Sequence, residues 1–474
     1  MKNTIFNKFF SSGIQAIAVQ VLGIFFFYFI SLYLSKENFG LISWANASCV
    51  FLTTILSCGM EQVIVRRIAV SKTSDWSAAA YLFHSFIGSV ILFLAIIALH
   101  SFYKNSVSLS FLPLFFLAQS IIYIASPLKQ FLNAKEKFTP YGIIALLSNS
   151  AKLLTVFFIV KKNALSIGNI ALVLIIFAVF ELLCLLIYIL SKPSFNFKLR
   201  FKFNAYLKLL KEASPQYIAV IFDSGLSRMD WVLLGIISTN VVTADYSFAY
   251  RAFEISRLPI AIIAPVILPY FSRILIQNKK FDSEKKTFIS KLFTIEMFFA
   301  VCLILGLNIL WTPVISYITH GKYGASNAIQ FLILSLCIPF QFFINLLWTL
   351  CFAGKRYRSV SIITITSACC NLMLNLVLIP FWGGNGAAIA FLITSIIQAS
   401  GYYSVVAREF VTLPIKRATL FFLIAIIIYF LSCLLTNIII LRFFIAIVLY
   451  IVTNIFLRQI DKSYLVSFRL LLRK

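Results

Sequence analysis

Apolar stretches of about 20 residues follow one another along almost the whole chain, and each is long enough to cross about 30 Å of hydrocarbon as a helix. They fall near 12–34, 41–60, 78–100, 109–133, 140–160, 165–190 and 214–237, then 243–270, 288–312, 326–353, 357–380, 384–407, 416–436 and 438–457. The pattern predicts an all-α, polytopic integral membrane protein with about 14 transmembrane helices, because a helix satisfies its own backbone N–H and C=O groups in lipid. Lys2 and Lys8 precede the first stretch, and the small-residue triplet Ala16-Ile17-Ala18 sits at its start. A signal-peptidase site would follow the apolar region, so the first span is expected to be uncleaved.

Polar segments between the stretches repeat. GLISWA at 40–45 aligns with ADYSFA at 244–249, and LNAKEKF at 132–138 with CFAGKRY at 351–357. Ile167-Gly168-Asn169-Ile170-Ala171 opens the sixth span as Gly384-Asn385-Gly386-Ala387-Ala388 opens the twelfth. The matches keep their order, which predicts two six-helix lobes, 1–191 and 213–409, joined by a basic cytoplasmic linker at 192–212. A C-terminal helix pair and basic tail occupy 410–474. Each lobe has an even number of spans, so the lobes share one orientation and enclose a central cavity.

Composition supports lipid as the solvent, with 61% hydrophobic and 12% charged residues. The net charge of +26 could suggest nucleic acid. Its distribution points instead to topology: with the N-terminus inside, about 31 of the 41 Lys and Arg fall in or beside cytoplasmic segments. Both termini are then cytoplasmic. The main clusters are Lys192, Lys198, Arg200, Lys202, Lys208 and Lys211, then Arg273, Lys279, Lys280, Lys285, Lys286 and Lys291, where attraction to anionic membrane lipid is also expected. The nine cysteines show no CxxC or Cys/His spacing and read as small core residues.

No phosphate loop or dinucleotide fingerprint is present, so neither a cofactor nor a bound metal is expected and energy must come from gradients or the substrate. Asp282-Ser283-Glu284 sits among lysines and reads as a solvated charge run. Charges within spans cost about 2.5–3.5 kcal/mol each and are functional candidates. The basic ones are Lys152, Arg228, Arg251 and Arg257, a candidate cationic cavity for a diphosphate, because guanidinium donors match phosphate oxygens. Acidic candidates for counter-charge or ion coupling are Asp223, Asp230 and Glu254; Glu181 and Glu296 are also intramembrane. Asp223 and Asp230 share a helix face, Arg228 points nearly opposite Asp230, and Arg251, Glu254 and Arg257 are spaced for intrahelical pairing. Asn371 and Asn375 read as helix-packing residues, and His84 as a packed polar residue.

Phe39-Gly40, Gly59 with Arg66, the run Tyr246–Arg251 towards Pro259, Asn371-x3-Asn375 before Ile379-Pro380, and the Gly383–Ala388 turn resemble one family. It is the polysaccharide-biosynthesis branch of the multidrug/oligosaccharidyl-lipid/polysaccharide (MOP) exporter superfamily, and within it the O-antigen unit flippases of the Wzx type. The resemblance implies a non-enzymatic flippase of the bacterial inner membrane. It would move undecaprenyl-diphosphate-linked oligosaccharide from the cytoplasmic to the periplasmic leaflet by alternating access. Implied partners are a polysaccharide polymerase and a chain-length regulator, with no nucleic acid. A lipid II flippase has the same chemistry. A multidrug antiporter would want intramembrane carboxylates without competing arginines, and an O-antigen polymerase would want a large periplasmic loop.

Overall fold

A computed structural model describes residues 2–70, 76–102, 107–192, 195, 201–260, 267–268, 271–272 and 282–460, with side chains from residue 18 except those of Val107 and Ser108. Lys198, Arg200, Arg273, Lys279, Lys280 and the basic tail from 461 lie outside the described residues, as do the side chains of Lys2 and Lys8. Among the described residues the chain is helical and holds no strand. The N-terminal helices are α1 (Lys2–Tyr33), α2 (Lys36–Leu56), α3 (Met60–Val70), α4 (Trp76–Phe102), α5 (Val107–Ala134), α6 (Phe138–Lys161), α7 (Ile167–Leu190), α8 (Phe203–Ile237) and α9 (Asn240–Ser256). There follow α10 (Ser283–Ile318), α11 (Ala328–Ala353), α12 (Tyr357–Glu409), α13 (Ile415–Leu435) and α14 (Ile439–Phe456).

Ten of these helices are long and apolar enough to cross a membrane. The 53-residue α12 covers two expected spans, bent at Gly383, whose φ of 50° and ψ of −127° suit glycine alone. The fold class is the expected polytopic all-α one. The 35-residue α8 falls outside the ten because it carries charge, including Asp223, Arg228 and Asp230.

Local chemistry sets the helix ends. Ser35 caps α2 by accepting the Asn38 N–H at 3.2 Å, and Ser166 caps α7 by accepting the Asn169 N–H at 3.2 Å. The expected second span, 41–60, is interrupted. α2 stops at Leu56, Cys58 and Gly59 take φ of 48° and 68°, and the chain restarts as α3. A Cβ on Gly59 would come within 2.6 Å of the Tyr217 backbone nitrogen, so this turn needs glycine twice over.

The sequence repeat has a structural counterpart at the end of α5 and of α11. Lys137 N–H bonds the Leu132 carbonyl at 2.9 Å, and Arg356 N–H bonds the Cys351 carbonyl at 2.9 Å. Glu136 and Lys355, which precede those donors, share positive φ of 56° and 59°, so both helices stop in the same left-handed cap.

Packing divides the chain into two compact units, Met1–Ala244 and Asp245–Lys474. In the first, α5 packs on α4 and α7, α1 on α6, and α8 on α2 and α3. Within this unit α8 lies along α2. Close approach explains this: a Cβ on Gly235 would overlap the Trp44 indole, and one on Gly40 would overlap the Asn240 carbonyl. The Trp44 indole N–H also donates to the Val232 carbonyl at 3.2 Å. In the second unit α10 is central, packed against α11, α13 and α14, and α11 packs along α12. Trp311 stacks on Phe331 with ring centres 3.6 Å apart, and Gly306 leaves room for the Phe443 ring.

Candidate functional site

Within the first unit, α1, α5, α6 and α7 bring an intramembrane charge cluster together. Lys152 on α6 donates to the Asn149 side-chain oxygen at 2.8 Å, one helical turn back, and its ammonium lies 4.9 Å from the Phe26 ring centre. Lys129 on α5 pairs with Glu181 on α7 at 2.9 Å, with side-chain exposures of 18% and 14%. Glu181 and Lys129 both lie close enough to act electrostatically on Lys152. Two ammonium groups share one carboxylate, so the cluster carries one net positive charge in a low-dielectric setting. Sequence reasoning singled out Lys152 and noted Glu181 but missed Lys129. Its neighbours Lys135 and Lys137 make the end of that span read as a solvated basic flank.

On α8, Arg228 is half-buried with its guanidinium 5.3 Å from the Trp231 ring centre, a cation–π arrangement. Asp230 is 1% exposed, and its Oδ1 accepts the Trp231 N–H at 2.8 Å. Asp223 is exposed, although it lies two turns back on the same face. The difference follows from packing, since α2 covers α8 around Trp231 and Leu234.

In the second unit, Arg251 pairs with Glu254 at 2.8 Å, the expected i, i+3 contact. Arg257 does not complete a triad. Its guanidinium lies 5.3 Å from the ring centre of Phe253, and its buried Nε has no hydrogen-bond partner among the described residues. Phe253 is held from behind by Tyr250 and Phe391, with ring centres 5.5 and 5.6 Å away. Asn375 donates to the Asn371 side-chain oxygen at 2.9 Å, and Asn371 donates to Thr394 at 3.4 Å across the bend of α12. A cavity of about 350 Å³ lies between α10, α11 and α13, lined mainly by apolar residues with Asn308 as a polar point.

Several cations thus sit on membrane helices with aromatic or amide neighbours. Outside the spans, Arg66 and Arg67 of α3 both bind Glu212 on the extension of α8, and Arg67 Nε lies 2.8 Å from the carboxylate. The hydrogen bond from Arg67 is the main cause holding the Glu212 carboxyl below the usual carboxylate range. His84 bridges the Tyr206 hydroxyl and the Leu56 carbonyl, both at 2.7 Å. Among the described residues no group of three His, Cys, Asp or Glu could hold a metal ion.

Comparison with solved structures gives the same fold. A lipid II flippase, MurJ, in an inward closed conformation matches with a TM-score of 0.74 at 18% identity, covering 95% of this chain and 99% of that one. An inward-facing multidrug resistance MATE family transporter of the MOP superfamily matches with a TM-score of 0.68 at 14% identity, covering 82% and 94%. A point mutant of the Vibrio cholerae MATE transporter VcmN gives 0.56 at 13% identity, covering 86% and 97%. No curated protein sequence matches the chain. Residues 5–275, more than half of the chain, match the family described as polysaccharide biosynthesis protein. With its membrane helices and this match together, the chain belongs to the polysaccharide biosynthesis protein family and has the fold of the MOP-superfamily transporters.

Proposed function

We propose that the protein is a flippase that moves undecaprenyl-diphosphate-linked O-antigen repeat units from the cytoplasmic to the periplasmic leaflet of the bacterial inner membrane. The observation that carries this reading is the set of cations on membrane helices, Lys152, Arg228, Arg251 and Arg257, three of them against aromatic rings. Such groups are expensive in lipid, and a diphosphate is the kind of ligand that repays their desolvation.

In this reading the cations on the membrane helices receive the diphosphate, while the polyprenyl tail stays in lipid. Asp223, Asp230 and Glu254 supply counter-charge or ion coupling. Both termini lie in the cytoplasm, and the polysaccharide polymerase and chain-length regulator act on the delivered unit. Moving an anion outwards down an inside-negative potential releases about 2.3 kcal/mol per charge per 100 mV, so two charges supply roughly 4–5 kcal/mol without a cofactor.

The test is complementation of a strain lacking its own copy of this gene with wild type, Arg228→Ala, Lys152→Ala or Arg251→Ala, with membrane levels checked. Wild type is expected to restore surface polysaccharide, while well-expressed variants accumulate lipid-linked units inside. Intact surface polysaccharide in the deletion strain overturns the reading. The likeness to the lipid II flippase MurJ supports a second reading with the same headgroup chemistry. Accumulation of lipid II in place of oligosaccharide-linked lipid would select it.

A further inference from the structure

The cavity among α10, α11 and α13 has an apolar, buried floor at Val301 and Leu305. Its polar point, Asn308, is already engaged, donating to the Ser335 hydroxyl at 2.8 Å. The rim is exposed at Ile329 and Leu332 on α11 and at Ile426 and Phe430 on α13. All three helices are long and apolar enough to cross a membrane, so this rim opens onto hydrocarbon. On α10 the lining runs from Val301 to Thr312, about 16 Å at 1.5 Å per residue. That is close to half of a hydrocarbon core of about 30 Å, the depth of one leaflet. The cavity also reaches Tyr429, and the Arg442 guanidinium lies 4.9 Å from the centre of that ring. Arg442 stands in the first turn of α14, just past the turn that joins it to α13. Its Nε donates to the Ser432 hydroxyl at 3.4 Å and a terminal nitrogen to the Cys433 sulfur, both neutral acceptors. Neither α13 nor α14 carries an acidic residue, and Arg442 makes no ion pair among the described residues.

An apolar slot one leaflet deep, with a guanidinium at its end that only neutral groups serve, matches an amphiphile that has an anionic head and a hydrocarbon chain. Water suits it poorly, because a trapped water needs several polar partners and the floor offers apolar side chains. We propose that the cavity holds one acyl chain of a resident anionic glycerophospholipid, whose phosphodiester sits on Arg442. A guanidinium donates to phosphate oxygens through its edge while its face stays on an aromatic ring, so Tyr429 and the phosphate engage Arg442 together. The lipid belongs to the leaflet at the α13–α14 turn. Its chain fills the gap between α13 and the α10–α11 pair, so it is a fixed part of the second unit and not the transported molecule.

The full-length protein, purified in detergent, is incubated with phosphatidylglycerol, with phosphatidylcholine of the same chains, or with inorganic phosphate. Retained lipid is counted by native mass spectrometry, and Tm is measured in parallel. Lysine clusters elsewhere also attract anionic lipid, so the deciding quantity is the difference between wild type and variants. Wild type is expected to retain one phosphatidylglycerol more than either variant does and to gain Tm with its concentration. Arg442→Gln is expected to weaken that binding about tenfold, towards the level of phosphatidylcholine. Ala425→Phe, which puts a ring into the cavity, is expected to displace the chain whatever its headgroup. Should Ala425→Phe not fold, Ala328→Phe fills the cavity from α11 instead. The inference falls if wild type treats the two phospholipids alike, if the folded variants retain as much phosphatidylglycerol as wild type, or if inorganic phosphate alone raises Tm as far. It also falls if undecaprenyl phosphate displaces the phospholipid, which would make the cavity a seat for the transported chain. None of these readouts measures transport, so the lipid site and the flippase reading fail separately.

Discussion

Replacing Glu181 by glutamine leaves the Lys129 ammonium in the interior of the first unit without its counter-ion. The pair is short, at 2.9 Å, and both side chains are mostly covered. Removing one partner of a buried pair costs about 3–5 kcal/mol, because the surviving charge stays desolvated. Lys129 keeps the Tyr141 ring 6.0 Å away, a modest cation–π contact, which places the expected loss at about 3 kcal/mol. Lys129→Met alone should cost less, since Glu181 still has Lys152 in electrostatic reach. In the double variant neither charge remains stranded, so the two losses should fail to add by about 2 kcal/mol. Equilibrium unfolding in mixed micelles of the four proteins gives this cycle directly. Additivity within about 0.5 kcal/mol would refute the argument, because independent residues behave that way.

Three further outcomes are expected. Gly235→Ala should destabilise the protein by about 1–3 kcal/mol, because its Cβ meets the Trp44 indole, and Trp44→Leu in the same chain should recover part of the loss in thermal unfolding. Glu212 has its carboxyl held below the usual range by Arg67, so its contribution is present above the unfolded-state value and disappears as pH falls through the folded-state value. Wild type should therefore lose stability over that acidic window, by less than about 1 kcal/mol for so exposed a pair, while Glu212→Gln shows a flatter pH profile. Arg257→Lys should lower flippase complementation nearly as far as Arg257→Ala at equal membrane levels. A lysine keeps the charge but loses the planar group stacked on Phe253; full activity in the lysine variant would count against a role for the guanidinium.

The succession of apolar stretches was enough to place most membrane helices, because lipid leaves the backbone few alternatives. The two left-handed caps at Glu136 and Lys355 were legible as a sequence repeat, since a turn of that kind constrains its own residues. The partners of each helix were not. α8 joins the first unit through Gly40, Gly235 and Trp44, and nothing in hydropathy says that one glycine lies against an indole. The break after Leu56 was hidden because Cys58 and Gly59 keep the run apolar. At the candidate site, the identities of Lys152, Arg228, Arg251 and Arg257 could be read as costly charges, but their neighbours could not. Helical spacing pairs Arg251 with Glu254 and would equally have paired Arg257, which instead lies over Phe253. Lys129 was masked by proximity to other lysines, and only the packing of α5 on α7 distinguishes it from them.

The bend at Gly383 also bears on how its two arms can move. The polypeptide turns between two apolar segments with Gly383 the one residue of α12 outside helical φ/ψ. Added side-chain bulk at Gly386 would strike the Leu378 carbonyl and at Gly384 the Gln330 amide. A hairpin closed on both sides in this way leaves its two arms little freedom to tilt independently. The same tightness makes it the wrong place to splice an epitope, a protease site or a fluorescent reporter.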